Sequence, residues 1–535
     1  MNNAELIVRI LKAAGIARGF GVPSGNVLPL MEAMRAGGLD FVLTAHEGSA
    51  GFAADVTARM TGVPGLAIAT LGPGATNLAT GVGCAYLDRS PLVAITCTLN
   101  EAQLGRHIQM WIDHQTLFRP VTKASFVLRQ DNVAATVQEA LRIALTEPQG
   151  PVHLDLPEDV ALAEVSDINH PHPNPPPEAE GFVSNEIDEA LEILRRAKRP
   201  LAVLGASAMR MRSPENLRRF LEHHRIPFAS TTMAKGLVDE AHPLSVGCIE
   251  RAKRQVQRRF IHDNADLVIG LGYDTIEVEY EAWMGKLPVL HIDIENADVD
   301  SSVNLEHALI GDLDAIVAAL ADAPHVDNAW SETAVAEHRD TFQRALRPES
   351  RSFAPHQAID VVRRLLPREG VLAFDVGAHT HQIASQWTAH APRTFLITNG
   401  WSSMGFGLPA AIAAKLARPD LPVVCIVGDG CFQMTCGELA VAAREKLAIP
   451  FVVLDDQWLS LIKVKQERRS LEHYGTALFS SDCPAPPAHY FGVPVVGVRT
   501  AAELESALVD ALRASTPTVI EARVDPSHYS ETVYD

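Results

Sequence analysis

Two textures of hydrophobic and polar positions alternate along the chain. Short, nearly unbroken apolar runs are separated by longer stretches whose apolar residues recur at helical spacing. Strands buried on both faces and joined by amphipathic helices leave this pattern, which marks parallel α/β units. A first block, residues 1–165, carries such runs at ARGFGV, FVLTA, GLAIATL, PLVAITC and VHLDLP. A second, 184–325, carries LAVLGA, FASTT, LVIGLG and VLHIDI. A third, 350–535, carries VLAFDVG, TFLITNG, VVCIVGDG, FVVLDD and PTVIEARV. Residues 166–183 contain HPHPNPPP, which holds neither a helix nor a central strand and reads as a linker. The pattern predicts an α/β protein of three doubly wound parallel-sheet domains.

Composition agrees and narrows the partners. At 535 residues the chain exceeds one hydrophobic core, and 47% hydrophobic against 21% charged residues describes a folded protein. A formal charge of −19 without a long basic run argues against a nucleic-acid partner. The opening MNNAELIVRILKAAG reads as an amphipathic helix rather than a signal segment. The longest apolar runs, LPVVCIV and PFVVL, are too short to span a membrane, so no membrane association is expected. Seven cysteines (Cys84, Cys97, Cys248, Cys425, Cys431, Cys436 and Cys483) form no CxxC pair and no zinc spacing. Buried thiols in a reducing, cytoplasmic setting are expected.

Candidate chemistry gathers where apolar runs end. Gly428-Asp429-Gly430-Cys431-Phe432 follows a strand and opens the helix-like CFQMTCGELAVAAREK, the setting in which backbone N–H groups meet phosphates. By itself this is also ordinary strand-to-helix punctuation. A second ligand-type residue, Asp456, lies 27 positions beyond Asp429, the length of a helix and a crossover to the next parallel strand. The pair Asp455-Asp456 is equally a solvated turn until something joins it to Asp429. In the first block, Glu47 follows the run FVLTA and opens a helix of small residues. It is either an acid favoured by the helix dipole or a buried carboxylate awaiting a partner.

Together these segments resemble the thiamine diphosphate (ThDP) enzymes of the acetolactate synthase, pyruvate oxidase and benzoylformate decarboxylase group. The resemblance runs through GDGCFQMTCGEL into the strand ending at Asp455 and extends over nearly the whole chain, with GLGYDTIE and Trp283 similar to the non-flavin acetolactate synthases. It implies that Asp429 and Asp456 are side-chain ligands of Mg²⁺, that Trp458 adds its carbonyl, and that the backbone of Gly428, Gly430 and Cys431 meets the diphosphate. The usual asparagine pair is Asp455-Asp456 here, as at the second position of catabolic acetolactate synthases. By the same resemblance Glu47 holds N1′ of the aminopyrimidine, Met404 wedges the bent cofactor, and the Ser402 carbonyl accepts from the 4′-amino group. Taken without the resemblance, Met404 is equally a core methionine. GVPSGN (21–26) and LGPGATN (71–77) match the family's first two loops. The central block has no GxGxxG, so FAD is not expected.

The implied reaction is decarboxylation of a small 2-oxo acid through a C2 ylid and an enamine, with a new C–C bond formed. Ile462, beside Leu461, stands where aldehyde-releasing decarboxylases carry a glutamate, and this favours ligation. Two alternatives remain: a non-ligating decarboxylase of the benzoylformate or phenylpyruvate type, and a 2-hydroxyacyl-CoA lyase. Gly25 stands where benzoylformate decarboxylase has serine. The other expected pocket residues are His107, Gln109, Met110 and His114, in a segment that departs from the synthase pattern; each histidine is also readable as a satisfied structural residue. Lys463 and Lys465 either attract an acceptor carboxylate or are solvated. The family places Glu47 and the diphosphate site on different subunits, so a homodimer or homotetramer is expected.

Overall fold

The apolar runs form three separate parallel sheets in the computed structural model, which describes residues 1–165, 184–479 and 485–533. The expected linker at 166–183 and Cys483 fall outside the described residues. The first sheet is built from β1 (Arg18–Gly21), β2 (Asp40–Leu43), β3 (Gly65–Thr70), β4 (Leu92–Thr98), β5 (Ala124–Val127) and β6 (Pro151–Pro157), ordered β2-β1-β3-β4-β6-β5. The second uses β7 (Pro200–Leu204), β8 (Phe228–Ser230), β9 (Ser245–Cys248), β10 (Leu267–Leu271), β11 (Pro288–Asp293) and β12 (Asn304–Ile310), ordered β12-β11-β10-β7-β8-β9. The third has β13 (Val371–Phe374), β14 (Phe395–Leu396), β15 (Val423–Gly428), β16 (Pro450–Asp455), β17 (His489–Tyr490), β18 (Val493–Val498) and β19 (Thr518–Arg523), ordered β14-β13-β15-β16-β19-β18-β17. Only the β17–β18 pair at its edge is antiparallel. The α/β expectation holds for all three blocks.

In a doubly wound sheet the chain leaves a central strand toward both edges, and a crevice opens at the carboxyl ends where it does so. In the first sheet that point lies between β1 and β3, and in the third between β13 and β15. The loops containing Gly25, Glu47, Gly72, Asp375 and Asp429 all leave carboxyl ends of strands near these two points.

The first and third domains share one hydrophobic core. Helix Glu47–Thr61 lies against helix Gly407–Ala417, with Phe52 edge-on to Phe406 at 5.7 Å. Within the first domain, small residues let helix Glu47–Thr61 come close to its neighbour Pro73–Leu87: a Cβ on Gly51 would lie 2.6 Å from the Cα of Gly81. The central domain is fastened to the third through Glu240, which accepts the Ala389 N–H at 2.8 Å and is itself paired with Lys235 at 2.7 Å. Helix Glu332–Ala345, beyond the expected limit of the central block at 325, packs Phe342 against Gly247 of β9.

Candidate active site

The third-domain half of the site is assembled by two adjacent strands. β15 and β16 pair in parallel, Gly428 opposite Leu454, so that Asp429 and the 455–458 turn emerge side by side. The Gln457 N–H donates to Asp429 Oδ2 at 2.6 Å, and Gln457 itself has φ +67. Asp456 accepts the Trp458 N–H at 2.9 Å and the Ser460 hydroxyl at 2.8 Å, which aims its carboxylate back toward Asp429. Asp455 pairs with Arg523 of β19 at 2.7 Å and also lies beside Asp429, whose carboxyl its charge helps to push up. The two neighbouring aspartates differ in their partners: Asp455 is tied to β19, and Asp456 to its own turn.

Burial pushes Asp429 up to about 8, aided by the nearby Asp456 charge, and burial pushes Asp456 up to about 6. Two desolvated carboxylates at close quarters are stabilised by a cation. The Trp458 carbonyl accepts no hydrogen bond among the described residues, while its neighbours Gln457 and Leu459 pair with Leu478 and Thr476. Two carboxylates and a free carbonyl form an all-oxygen donor set, which fits a hard divalent cation such as Mg²⁺.

Glycines keep the approach open. A Cβ on Gly430 would lie 2.7 Å from Leu459 Cδ2 and 3.5 Å from Met404 Cε, so Met404 does reach the GDG turn. A Cβ on Gly428 would lie 3.0 Å from the ring of His379. His379 is buried, its Nε2 finds no partner among the described residues, and burial lowers it to about 4, which leaves the ring neutral. A neutral ring has a single N–H, and with that N–H toward the Asp375 carbonyl the unpartnered Nε2 is left as an acceptor beside the Gly428 turn. Sequence reading passes over His379; its signal is the position just after the strand-ending FDVG. The Cys431 thiol points back to the Val376 carbonyl at 2.9 Å, so only its backbone faces the turn. The helix expected from Cys431 to Lys446 is broken: it runs Asp429–Thr435, tightens at Cys436–Glu438 and resumes at Leu439–Arg444. The break lets Glu438 turn toward the first domain, where it accepts the N–H groups of Ala45 and His46 at 3.1 Å.

That contact bears on Glu47. The turn before it is held from the third domain, and the His46 ring caps the helix by accepting the Gly48 N–H at 3.0 Å. Glu47 is 9% exposed and takes one hydrogen bond, from Asn77 Nδ2 to Oε2 at 3.0 Å. Its other oxygen lies near Gly74, where a Cβ would come within 3.3 Å. LGPGATN is thus more than a glycine turn: Gly74 leaves room for the carboxylate and Asn77 orients it.

The loop bearing Ser402 and Met404 is held at both ends. Asp375 accepts from Gly405 and Gly407, while Asp88 of the first domain accepts from Asn399 and Gly400. Ser402 adopts φ +52 and bonds its hydroxyl to the Asn399 carbonyl.

The remaining expected pocket residues are dispersed in role. Gly25 opens a short turn where a Cβ would meet nothing within 4 Å, and His107 and Gln109 are exposed. Met110, φ +65, lays its carbonyl against the face of Gly72 that a Cβ would occupy. His114 is buried with both nitrogens engaged, Nε2 with the Gly72 N–H at 3.1 Å and Nδ1 with Asp155 at 2.9 Å. It therefore braces the Gly72 turn and has no nitrogen left for proton transfer to a substrate. Leu461 packs with Ala378, Val464, Tyr529 and Val533, whereas Ile462 projects outward, 43% exposed. Lys463 is drawn over the Trp458 ring, 4.3 Å from its centroid. Among the described residues no helix is long and apolar enough to cross a membrane.

Comparison with known proteins gives the same three-part division. Residues 1–117 match the thiamine pyrophosphate enzyme N-terminal TPP binding domain, 187–320 the central domain and 375–522 the C-terminal TPP binding domain. The probable acetolactate synthase large subunit of Methanococcus aeolicus is 30% identical, over 98% of this chain and 92% of its own length. The acetolactate synthase isozyme 2 large subunit of Escherichia coli is 31% identical over 98% and 96%. The acetolactate synthase large subunit of Lactococcus lactis is 31% identical over 89% and 84%.

Proposed function

The chain belongs to the acetolactate synthase family of thiamine pyrophosphate enzymes, and on that premise we propose that it decarboxylates a small 2-oxo acid and joins the remaining fragment to a second carbonyl compound. The arrangement that carries this reading is the pairing of Asp429 with the Asp456–Trp458 turn, supported by Glu47 on its Asn77 hinge. Asp429, Asp456 and the Trp458 carbonyl would hold Mg²⁺, with the His379 ring beside the diphosphate. Bound ThDP supplies the carbanion chemistry by which a 2-oxo acid loses CO₂ and its carbonyl carbon becomes a nucleophile.

The protein's own residues orient and move protons. Glu47, largely desolvated and fixed by Asn77, would exchange a proton with the aminopyrimidine N1′. Met404, abutting Gly430, would support the cofactor. Ile462 offers no acid that would donate a proton at the position it occupies. Ligation is favoured over aldehyde release on that ground.

Glu47 and the Asp429 cluster are read as meeting across a subunit interface. Trp401, Met434 and Ile462, at 38%, 59% and 43% exposure, present apolar surface around the third-domain half, as a buried interface requires. We read the central domain as structural, without flavin: Arg89 pairs with Asp274 and Glu295, and Arg210 with Glu147, across the carboxyl edge of β7 and β10. Incubation with a panel of 2-oxo acids, with and without ThDP and Mg²⁺, and product identification by NMR tests the reading. Acetohydroxy acid products support it; aldehyde alone selects the decarboxylase, and no cofactor-dependent turnover of any 2-oxo acid rejects both.

A further inference from the structure

The first domain grips its own chain's third domain at one short segment, residue by residue. Arg59 Nη1 donates to the Ile397 carbonyl at 2.6 Å, and the Cys84 thiol meets the Thr398 hydroxyl at 3.1 Å. Asp88 Oδ1 accepts the N–H groups of Asn399 at 3.2 Å and Gly400 at 2.8 Å. Trp401 Nε1 reaches the Thr80 hydroxyl at 3.2 Å, with its ring against Gly83. Every position from 397 to 401 thus has a partner in the first domain, and the segment leads directly into Ser402 and Met404.

Asp88 is the centre of this grip. Its second oxygen receives Arg59 Nη2 at 2.8 Å, and Arg59 is held in turn by Asp55 at 2.5 Å. An arginine between two buried carboxylates is rigid, because Nε, Nη1 and Nη2 all donate to fixed acceptors. The same helix that carries Arg59 near its end carries Glu47 at its start.

We propose that Asp88 is a positioning residue for the cofactor bound by its own chain, fixing the Ser402–Met404 loop, while Glu47 of the same domain serves the cofactor bound by the second copy. The assignment rests on the reading of Met404 as the cofactor support and of Glu47 as acting across the interface. It gives the first domain two duties toward two different sites. Nothing in the YLDRSP turn that contains Asp88 distinguishes it in sequence from an ordinary helix exit.

Asp88→Asn is the direct test. One side of the amide must now face a donor, either the two backbone N–H groups or Arg59, while Asp55 still neutralises Arg59 and limits damage to the loop. ThDP binding, followed by quenching of tryptophan fluorescence, is expected to weaken by about tenfold or more, as for loss of a charge-assisted hydrogen bond. The KM for the 2-oxo acid should stay unchanged. Hybrid dimers are then made by co-expressing differently tagged Glu47→Gln and Asp88→Asn chains. One of the two sites in such a hybrid combines an intact loop with an intact Glu47. At ThDP levels that leave the Asp88→Asn homodimer inactive, the hybrid should show about half the wild-type rate.

Unchanged ThDP affinity in Asp88→Asn overturns the proposal. So does an inactive Glu47→Gln/Asp88→Asn hybrid when a Glu47→Gln/Asp429→Asn hybrid is active. If that control hybrid is itself inactive, the cross-interface reading of Glu47 fails, and Asp88 stands or falls on ThDP affinity alone. Arg59→Lys, which retains charge but loses the Ile397 bond, replaces Asp88→Asn if the latter does not fold. The same affinity loss with an unchanged substrate KM is expected, and wild-type affinity rejects the assignment.

Discussion

Asp375 takes the Gly405 N–H through Oδ1 at 2.9 Å and the Gly407 N–H through Oδ2 at 2.8 Å, so one carboxylate closes the end of the Met404 loop. Both bonds are buried, and the donors have no water to fall back on. Asp375→Ala strands them and is expected to cost about 2–4 kcal/mol of stability. Urea unfolding with and without ThDP measures it. A loss under about 1 kcal/mol would mean that the loop holds itself.

Asp429 and Asp456, the two aspartates proposed to hold Mg²⁺, should respond differently to substitution. Asp456→Asn keeps an oxygen for the cation and an acceptor for Trp458, so Mg²⁺ affinity should fall by about tenfold or less. Asp429→Ala removes the oxygen that also anchors the Gln457 N–H and should abolish measurable Mg²⁺-dependent ThDP binding. Calorimetric titration in EDTA-treated protein compares them; equal losses would contradict the assigned geometry.

Glu47→Gln preserves the bond from Asn77 through the amide oxygen but removes the proton acceptor. Turnover is expected to drop by about 10²–10⁴-fold while the thermal midpoint moves little. Activity close to that of the wild type would remove Glu47 from the mechanism.

Ile462→Glu places an acid where the chain has none and should divert product from ligated compound to aldehyde. The ratio of the two by NMR reads the change directly. An unaltered ratio would show that the Ile462 side chain does not face the reacting carbon.

Buried histidines such as His153 and His338 oppose stability in acid. Burial holds His153 down to about 3 and His338 down to about 4, from an ordinary 6.5. Below about pH 6.5 the unfolded chain takes up protons that the folded protein refuses, so stability falls as pH drops. Each group contributes a slope of about 1.4 kcal/mol per pH unit until its own folded value is reached. Buried carboxyls pushed up, such as Glu277 and Asp293, act with the opposite sign over the same range, so the test is a difference: between about pH 6.5 and 4 the urea midpoint of His338→Phe should fall less with pH than that of the wild type, and equal slopes would reject the assignment.

The parts of the fold legible in sequence are those buried on both faces. β4, β15 and β16 read as unbroken apolar runs because helices cover both sides of the sheet. β5, β9, β12 and β18 escape such a reading: they lie at or next to sheet edges, where polar or proline positions interrupt the run, as in NLEHALI and VPVVGV. Asp429 and Asp456 can be named as a pair because strand spacing brings the two ends together and the family resemblance picks Asp456 from the Asp455-Asp456 turn. Asp88, Asp375, Asn77 and His379 cannot, because each acts through a partner far along the chain or from a turn of common composition. His114 looks chemical by residue type and proves to be a brace, a distinction that only its two filled nitrogens reveal.

The hold of Glu438 on Ala45 and His46 has a temporal side. The ribosome delivers residues 45 and 46 nearly four hundred positions before their acceptor, at a separation of 393 and 392 residues. Until the C-terminal third is made, those two N–H groups have only solvent, and the turn that aims Glu47 lacks its anchor. On the proposed role of Glu47, the nascent first domain therefore emerges with that carboxylate unaimed, and its orientation arrives only with the last part of the chain.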